Sequence, residues 1–345
     1  MKNLATTAVL VRWWRTMHPW ILAGGFLSAI TLARGQPDLK IGMIGLDTSH
    51  VVLVTTLLND AAAPGHIAGA RVVCAYKGGS REMEKSWSRV DKFAAELRDK
   101  HGVALVDSIA EVVARSDAVM IMSVDGRMHL AEAREVFGKG KPVYIDKPLA
   151  TTLSEAAAIV QLSRATHTPF FSASPFRYTE GLRRLREAPL GRMRGAVSYG
   201  NATAAAPLSE LFYEGIHPVE ALFTVMGGGV ESVTSIRTKD TDVLTGLWPD
   251  GRTGVVYGLR NGDNSFGVTV YGEKAIRSET KYVDEGFAPL TREIIAFFQT
   301  GRPPLAPEAM LEIIAFIEAA EQSQRAGGAP VDVARLLSTV LPSTH

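Results

Sequence analysis

The chain has 345 residues, 46% of them hydrophobic, and 37 Lys and Arg against 36 Asp and Glu, a formal net charge of +1. That length accommodates two domains of ordinary size. The balanced charge argues against a nucleic-acid surface or a polybasic membrane patch, and there is no low-complexity tract or internal repeat.

The first 35 residues stand apart. Lys2, Arg12 and Arg15 precede the apolar stretch Trp20 to Leu32, and Ala33-Arg34-Gly35 follows. A basic segment, a short apolar segment and a small-x-small site read as a signal peptide over 1–35, with Gln36 as the mature start. The apolar segment is short for a membrane span; an uncleaved anchor is the alternative. The expected location is therefore outside the cytoplasm. With one cysteine, Cys74, the chain forms no internal disulfide and no Cys-based zinc site. Cys74 reads as a buried strand residue.

From Asp38 onward, strands and helices alternate. Strands are expected at Leu39 to Leu46, Ala70 to Tyr76, Val103 to Val106, Ala118 to Ser123 and Val143 to Ile145. Helices are expected at Ser49 to Ala62, Glu82 to His101, Ser108 to Arg115 and Met128 to Phe137. This order predicts a doubly wound parallel sheet of Rossmann type over 36–150. A helix from Leu153 to Thr166 and a strand from Pro169 to Ser174 come next. Then Gly195 to Asn201, Val230 to Lys239, Gly254 to Arg260 and Gly267 to Tyr271 are strand-like, with few long helices between them. They predict an open, mostly antiparallel sheet in a C-terminal α+β domain, 151–345, which ends in helices at Leu290 to Gln299 and Ala309 to Ala326.

Val143-Tyr144-Ile145-Asp146-Lys147-Pro148 is the most informative segment. An apolar run that ends in an acid, a base and a proline reads as a buried parallel strand whose carboxyl end meets a ligand. A lysine in a partly dry cleft can exchange protons near neutral pH. The bland alternative is a solvated lysine in a surface turn.

The loop after the first strand reads Gly45-Leu46-Asp47-Thr48-Ser49-His50. A dinucleotide fingerprint is G-x-G-x-x-G, and only its first glycine is present. Asp47 stands where backbone meets pyrophosphate, and His50 where helix and strand pack closely. The helix start still offers N–H groups, and Thr48 and Ser49 add hydroxyls; a plain N-cap is the alternative. After the second strand, Lys77-Gly78-Gly79-Ser80-Arg81 lacks the acid that an NAD ribose favours. Lys77, Ser80 and Arg81 suit a 2′-phosphate, unless they form only a solvated basic loop.

Other marks recur in order: Lys40 to Gly45, Asp117 to Val119 leading to His129, Gly138 to Pro142, Phe176-Arg177-Tyr178, and Gly215-Ile216-His217 opening an apolar helix. With Asp146-Lys147-Pro148 and the closing Thr300-Gly301-Arg302-Pro303-Pro304, this order resembles the Gfo/Idh/MocA oxidoreductase family across nearly the whole mature chain. The resemblance implies NADP or NAD as cofactor, a sugar-like or polyol substrate and a homo-oligomer. It implies Lys147 and His217 as the groups that handle the reacting hydroxyl, with Tyr213 standing where many members carry an aspartate. Gly45, Thr48, Ser49, Lys77, Ser80, Arg81, Ser123 and Asp146 would face the cofactor, and Arg177, Tyr178 and Asp125 the substrate. Removing hydride from a carbinol carbon requires loss of its hydroxyl proton, which Lys or His can take.

Two other readings compete with this one. In the first, the scaffold binds or senses carbohydrate without catalysis, its cofactor loop having decayed. In the second, Asp47, His50 and His217, joined by Asp125 and His129, approach one another and hold a metal for hydrolysis or elimination. No zinc-protease spacing supports the metal.

Overall fold

The first strand, β1 (Leu39–Ile44), lies between two neighbours and starts a sheet buried on both faces. The computed structural model describes residues 37–263, 265–280 and 285–340; the expected signal segment lies outside them. After β1 come α1 (Ser49–Asn59), β2 (Ala70–Tyr76), the single turn α2 (Glu84–Trp87) and α3 (Val90–His101). Next are β3 (Ala104–Val106), α4 (Ile109–Arg115), β4 (Ala118–Ile121), α5 (His129–Val136), β5 (Val143–Ile145), α6 (Leu153–Thr166) and β6 (Phe170–Ser172). All six strands pair in parallel, in the order β3-β2-β1-β4-β5-β6. The order reverses between β1 and β4, so the ligand crevice of such a sheet opens beyond their carboxyl ends.

Local sequence explains the helix starts. Thr152 caps α6 by accepting from the Glu155 N–H at 3.2 Å, and Ser108 does the same for α4 through Glu111 at 3.2 Å. Both are Ser/Thr-x-x-Glu boxes. Strands β4 and β5 are wholly buried because their residues, Ala-Val-Met-Ile and Val-Tyr-Ile, carry no polar side chain except the Tyr144 hydroxyl.

The second sheet follows a 3-10 turn (Pro175–Tyr178) and α7 (Glu180–Glu187). Its elements are β7 (Met193–Asn201), α8 (Glu210–Tyr213), α9 (Ile216–Met226), β8 (Ser232–Arg237), β9 (Thr241–Leu247), β10 (Thr253–Leu259), β11 (Gly267–Gly272) and β12 (Ile276–Glu279). The chain then forms α10 (Ala288–Thr300), α11 (Pro307–Arg325), β13 (Val331–Asp332) and α12 (Val333–Ser338). Strand order is β12-β11-β7-β10-β9-β8-β13, antiparallel except for β7 with β10. Helices α9 and α11 pack on one face. The other face leaves Ile236, Leu247, Tyr257, Tyr271 and Ile276 exposed.

The structure departs from the sequence reading in several places, and α7, β12 and β13 are among the elements it adds. The parallel sheet continues past Ala150, because β6 pairs with β5 from Val143↔Phe170 to Ile145↔Ser172. The helix expected over Glu82 to His101 breaks at Ser88 and Arg89 into α2 and α3. Strand β9 lies outside the expected strands: its Thr-Asp-Val-Leu-Thr-Gly-Leu pattern is half polar, and it takes its place between β8 and β10 with Gly246 against Phe316 of α11.

Candidate active site

Asp146 leaves β5 with its N–H donating to the Ile121 carbonyl at 2.8 Å, continuing the ladder one residue past the strand. Its side chain is 1% exposed. One carboxylate oxygen faces His50 Nδ1 at 2.7 Å, and the other accepts from the Tyr144 hydroxyl at 3.1 Å. Burial opposes the charge on Asp146, yet His50, Lys147 and Tyr144 together hold its carboxyl below the ordinary range. His50 belongs to the first turn of α1, and its ring lies 4.3 Å from that of Phe287 at the start of α10.

Lys147 is 5% exposed. Its Nζ donates to the Tyr213 carbonyl at 3.2 Å and lies 5.6 Å from the centre of the Tyr213 ring. A cavity of about 10 Å³, close to the room one water needs, is lined by Lys147, Ser172, Ile216 and Glu220 among others. His217 lies in the first turn of α9, a helix with every residue buried. Burial, reinforced by the Lys147 ammonium and by the nearness of His50, pushes the His217 imidazole well below its usual range, so it stands neutral. Its Nδ1 meets the Ser174 hydroxyl at 2.7 Å. Glu214, 3.8 Å from Nε2, lies beyond hydrogen-bond reach.

Ser174 links His217 to a second buried pair. Its N–H donates to Glu220 Oε1 at 3.2 Å, and Arg177 Nε donates to Glu220 Oε2 at 2.6 Å. Arg177 and Tyr178 line a cleft of about 320 Å³ with Arg183, Arg186 and Thr224. Arg177 Nη2 and the Tyr178 hydroxyl are buried there without a hydrogen-bond partner among the described residues.

The loop after β1 is built differently from a phosphate cradle. Gly45 has φ +83°, and a Cβ on it would meet the Ser123 backbone N at 2.6 Å. Only glycine permits β1 and β4 to end this close together. Asp47 is wholly buried: it accepts from the Val124 N–H at 2.9 Å and from the Ser86 hydroxyl at 2.6 Å. Burial pushes its carboxyl up, against the lowering effect of those two donors. Thr48 caps α1 through the His50 N–H at 3.4 Å, and Ser49 is exposed.

The segment between β2 and α3 folds over this loop as a strap. The Ser80 N–H donates to Ser86 Oγ at 2.7 Å. Met83, fully buried, clusters with Val124, Ala205, Leu208 and Tyr213, and so bridges to the second half of the chain. Lys85 Nζ lies 4.6 Å from the centre of the Tyr213 ring.

The structure thus brings Asp146, Lys147, Tyr213 and His217 together, with Arg177 connected through Glu220 and Ser174. Other expected site residues have partners within the fold. Lys77 pairs with Asp91 at 2.8 Å, and Arg81 stacks 4.7 Å over Trp87. Ser123 donates to Glu132 at 2.6 Å, and Asp125 is held by Arg127 at 2.7 Å. His129 bonds the Ser123 and Leu149 carbonyls at 2.8 and 3.2 Å, away from His50 and His217. Among the described residues, no group of three or more His, Cys, Asp or Glu is arranged to hold a metal ion. Sequence reasoning did not find the pairing of His50 with Asp146, nor Ser174, Glu220 and Met83. The one available signal was His50 itself, a large residue at a glycine position.

Residues 39–173 match the family model described as "Oxidoreductase family, NAD-binding Rossmann fold", GFO_IDH_MocA. Comparison with the curated proteins gives no match. Solved structures share the fold at low identity. Scyllo-inositol dehydrogenase from Lactobacillus casei, with bound NAD(H) and scyllo-inositol, superposes with a TM-score of 0.70 at 15% identity, covering 86% of this chain and 99% of that one. An oxidoreductase from Agrobacterium radiobacter in complex with NAD+, L-tartaric acid and magnesium gives 0.68 at 16% identity, with 87% and 100% covered. GenD2 from gentamicin A biosynthesis, in complex with NAD, gives 0.70 at 16% identity, with 86% and 96% covered. Residues 39–173, the bulk of the parallel-sheet half, thus match the Gfo/Idh/MocA oxidoreductase model with its NAD-binding Rossmann fold, and the solved structures share the fold of both halves.

Proposed function

We propose that the protein is an NAD(P)-dependent oxidoreductase that acts on a hydroxyl of a sugar or cyclic polyol. The observation that carries this reading is the meeting of Lys147 and a neutral His217 beyond the carboxyl end of β5, in the crevice where such sheets bind ligands. A buried ammonium can orient the substrate oxygen, and a neutral imidazole can share its proton. The family match of residues 39–173 supports the cofactor, and the structural relative that holds scyllo-inositol supports the substrate class.

The site fits a dinucleotide at its base. Gly45 makes the tight turn, and Ser49 stands exposed at the N-terminus of α1, which favours an anion. Thr48, Ser123 and Asp146 border the same turn, and Lys77, Ser80 and Arg81 would select NADP over NAD. When bound, the cofactor would supply the hydride acceptor. Above the turn, however, Ser86 and Met83 hold the ground. On this reading the strap lifts when the dinucleotide enters, freeing Ser80 and Arg81 to meet it.

Export through residues 1–35 and assembly through the exposed face of the second sheet are part of the same proposal. An exported enzyme has no nicotinamide pool to draw on, so it would retain and recycle its cofactor. The covered loop favours one competing reading, a carbohydrate-binding or sensing protein without catalysis. Denaturing the purified protein and measuring released nicotinamide absorbance, alongside melting with added NAD and NADP, separates the two. Released or stabilising dinucleotide supports the enzyme; none of either, with a polyol still raising the melting temperature, supports the binding protein.

A further inference from the structure

We propose that His50, held by Asp146, is a proton acceptor of this site beside the orienting Lys147 and the neutral His217. The inference rests on the oxidoreductase reading above and assigns a further residue to it.

The hydrogen bonds determine which nitrogen of His50 is basic. An ionised carboxylate only accepts, and Asp146 is ionised, fixed on its other oxygen by the Tyr144 hydroxyl at 3.1 Å. His50 Nδ1, 2.7 Å away, therefore carries the proton of that bond. Nε2 is left with the lone pair, and it has no hydrogen-bond partner among the described residues. The ring keeps some exposure, 16%, unlike its neighbours in the site.

The surroundings distinguish His50 from the other two candidates. Lys147 already spends one N–H on the Tyr213 carbonyl, and a charged ammonium has no lone pair to offer. His217 has the Ser174 hydroxyl on Nδ1, and its nearest carboxylate, Glu214 at 3.8 Å from Nε2, is not hydrogen-bonded to it. Of the three, His50 is the one hydrogen-bonded to a carboxylate, which stabilises the positive charge that accepting a proton creates. The groups facing it are Asp146 and Lys147 at the end of β5, His217 on α9 and the apolar ring of Phe287. Tyr213, which stands where the resemblance implies an aspartate, is thus compensated by a pair built from a fingerprint-glycine position and the acid of Asp146-Lys147-Pro148. In the step, the substrate hydroxyl proton passes to His50 Nε2, and the imidazolium formed is paired with Asp146.

The first measurement is long-range 1H–15N NMR of the purified protein, with H50Q as the assignment control. It is expected to show His50 as the Nδ1–H tautomer and to lose that preference in D146N; an Nε2–H tautomer in the native protein overturns the proposal. The second uses NAD and NADP with scyllo-inositol as the probe. H50A is expected to lose about 10²- to 10⁴-fold in turnover, keep its dinucleotide affinity and recover in part with added imidazole. Unchanged turnover in H50A, or a loss that imidazole leaves untouched while H50Q retains activity, overturns it. If the native protein binds no dinucleotide, the oxidoreductase reading fails, and the tautomer measurement still decides the assignment of the basic nitrogen.

Discussion

Ser86→Ala tests whether the strap and a dinucleotide compete. The Ser86 hydroxyl donates to Asp47 at 2.6 Å and accepts from the Ser80 N–H at 2.7 Å. A hydrogen bond to a charged group contributes about 1.5–3 kcal/mol net, and a neutral one about 0.5–1.5 kcal/mol. Losing both weakens the closed strap by about 2–4.5 kcal/mol. If the strap must lift for the dinucleotide to enter, that energy returns as affinity. At about 1.4 kcal/mol per factor of ten, the dissociation constant would tighten by at most about 30-fold at the low end and about a thousand-fold at the high end. The melting temperature moves the other way, by roughly 2–4 °C per kcal/mol or less in a unit of this size. Isothermal titration of native and S86A protein with NAD and NADP, beside their thermal melts, is the assay. Tighter binding with a lower melting temperature is the expected pair. A lower melting temperature with unchanged or weaker binding refutes the competition, and the strap is then ordinary structure.

Two further outcomes are expected. Glu220→Ala strands Arg177, whose side chain is 12% exposed, and should cost about 3–5 kcal/mol in urea unfolding; R177M/E220A should cost less than the sum of the single changes. The pH dependence of melting should show opposing contributions. His217, lowered in the fold, contributes stability that is present above its ordinary value of 6.5 and lost as pH falls through the folded value. Asp47, raised in the fold, contributes stability that is present below its ordinary value of 3.8 and lost as pH rises through the folded value. Asp47→Asn should therefore flatten the decline on the alkaline side of 3.8 and leave the acid loss from His217 in place. A D47N melting profile parallel to the native one across this window contradicts that assignment.

The parallel sheet was legible because each strand is an apolar run fenced by a helix, and burial on both faces leaves no polar alternation to confuse the period. Lys147 and His217 were legible because each stands at an element end, where side chains meet across the crevice. The strap was not. Met83 and Ser86 sit in a polar stretch that reads as a helix start, and nothing local says that Met83 is buried against Tyr213, far along the chain. The role of Asp47 was misjudged for the same reason. The sequence puts a negative charge on the phosphate loop, whereas the fold turns that charge inward onto the Val124 N–H. Strand β9 depended on partners on both sides, and a half-polar segment shows its strand character only once β8 and β10 are in place.

Gly45 carries a lesson for anyone scanning genomes with the glycine fingerprint. A side chain there would strike the Ser123 backbone whether or not anything ever binds, so architecture alone explains why this glycine is kept. Its survival is weak testimony about ligands. The informative positions are the other two, where Asp47 and His50 are hydrogen-bonded to the segments that leave β4 and β5, and searches that grade such chains by how many glycines remain will misfile those that carry side chains with new work there.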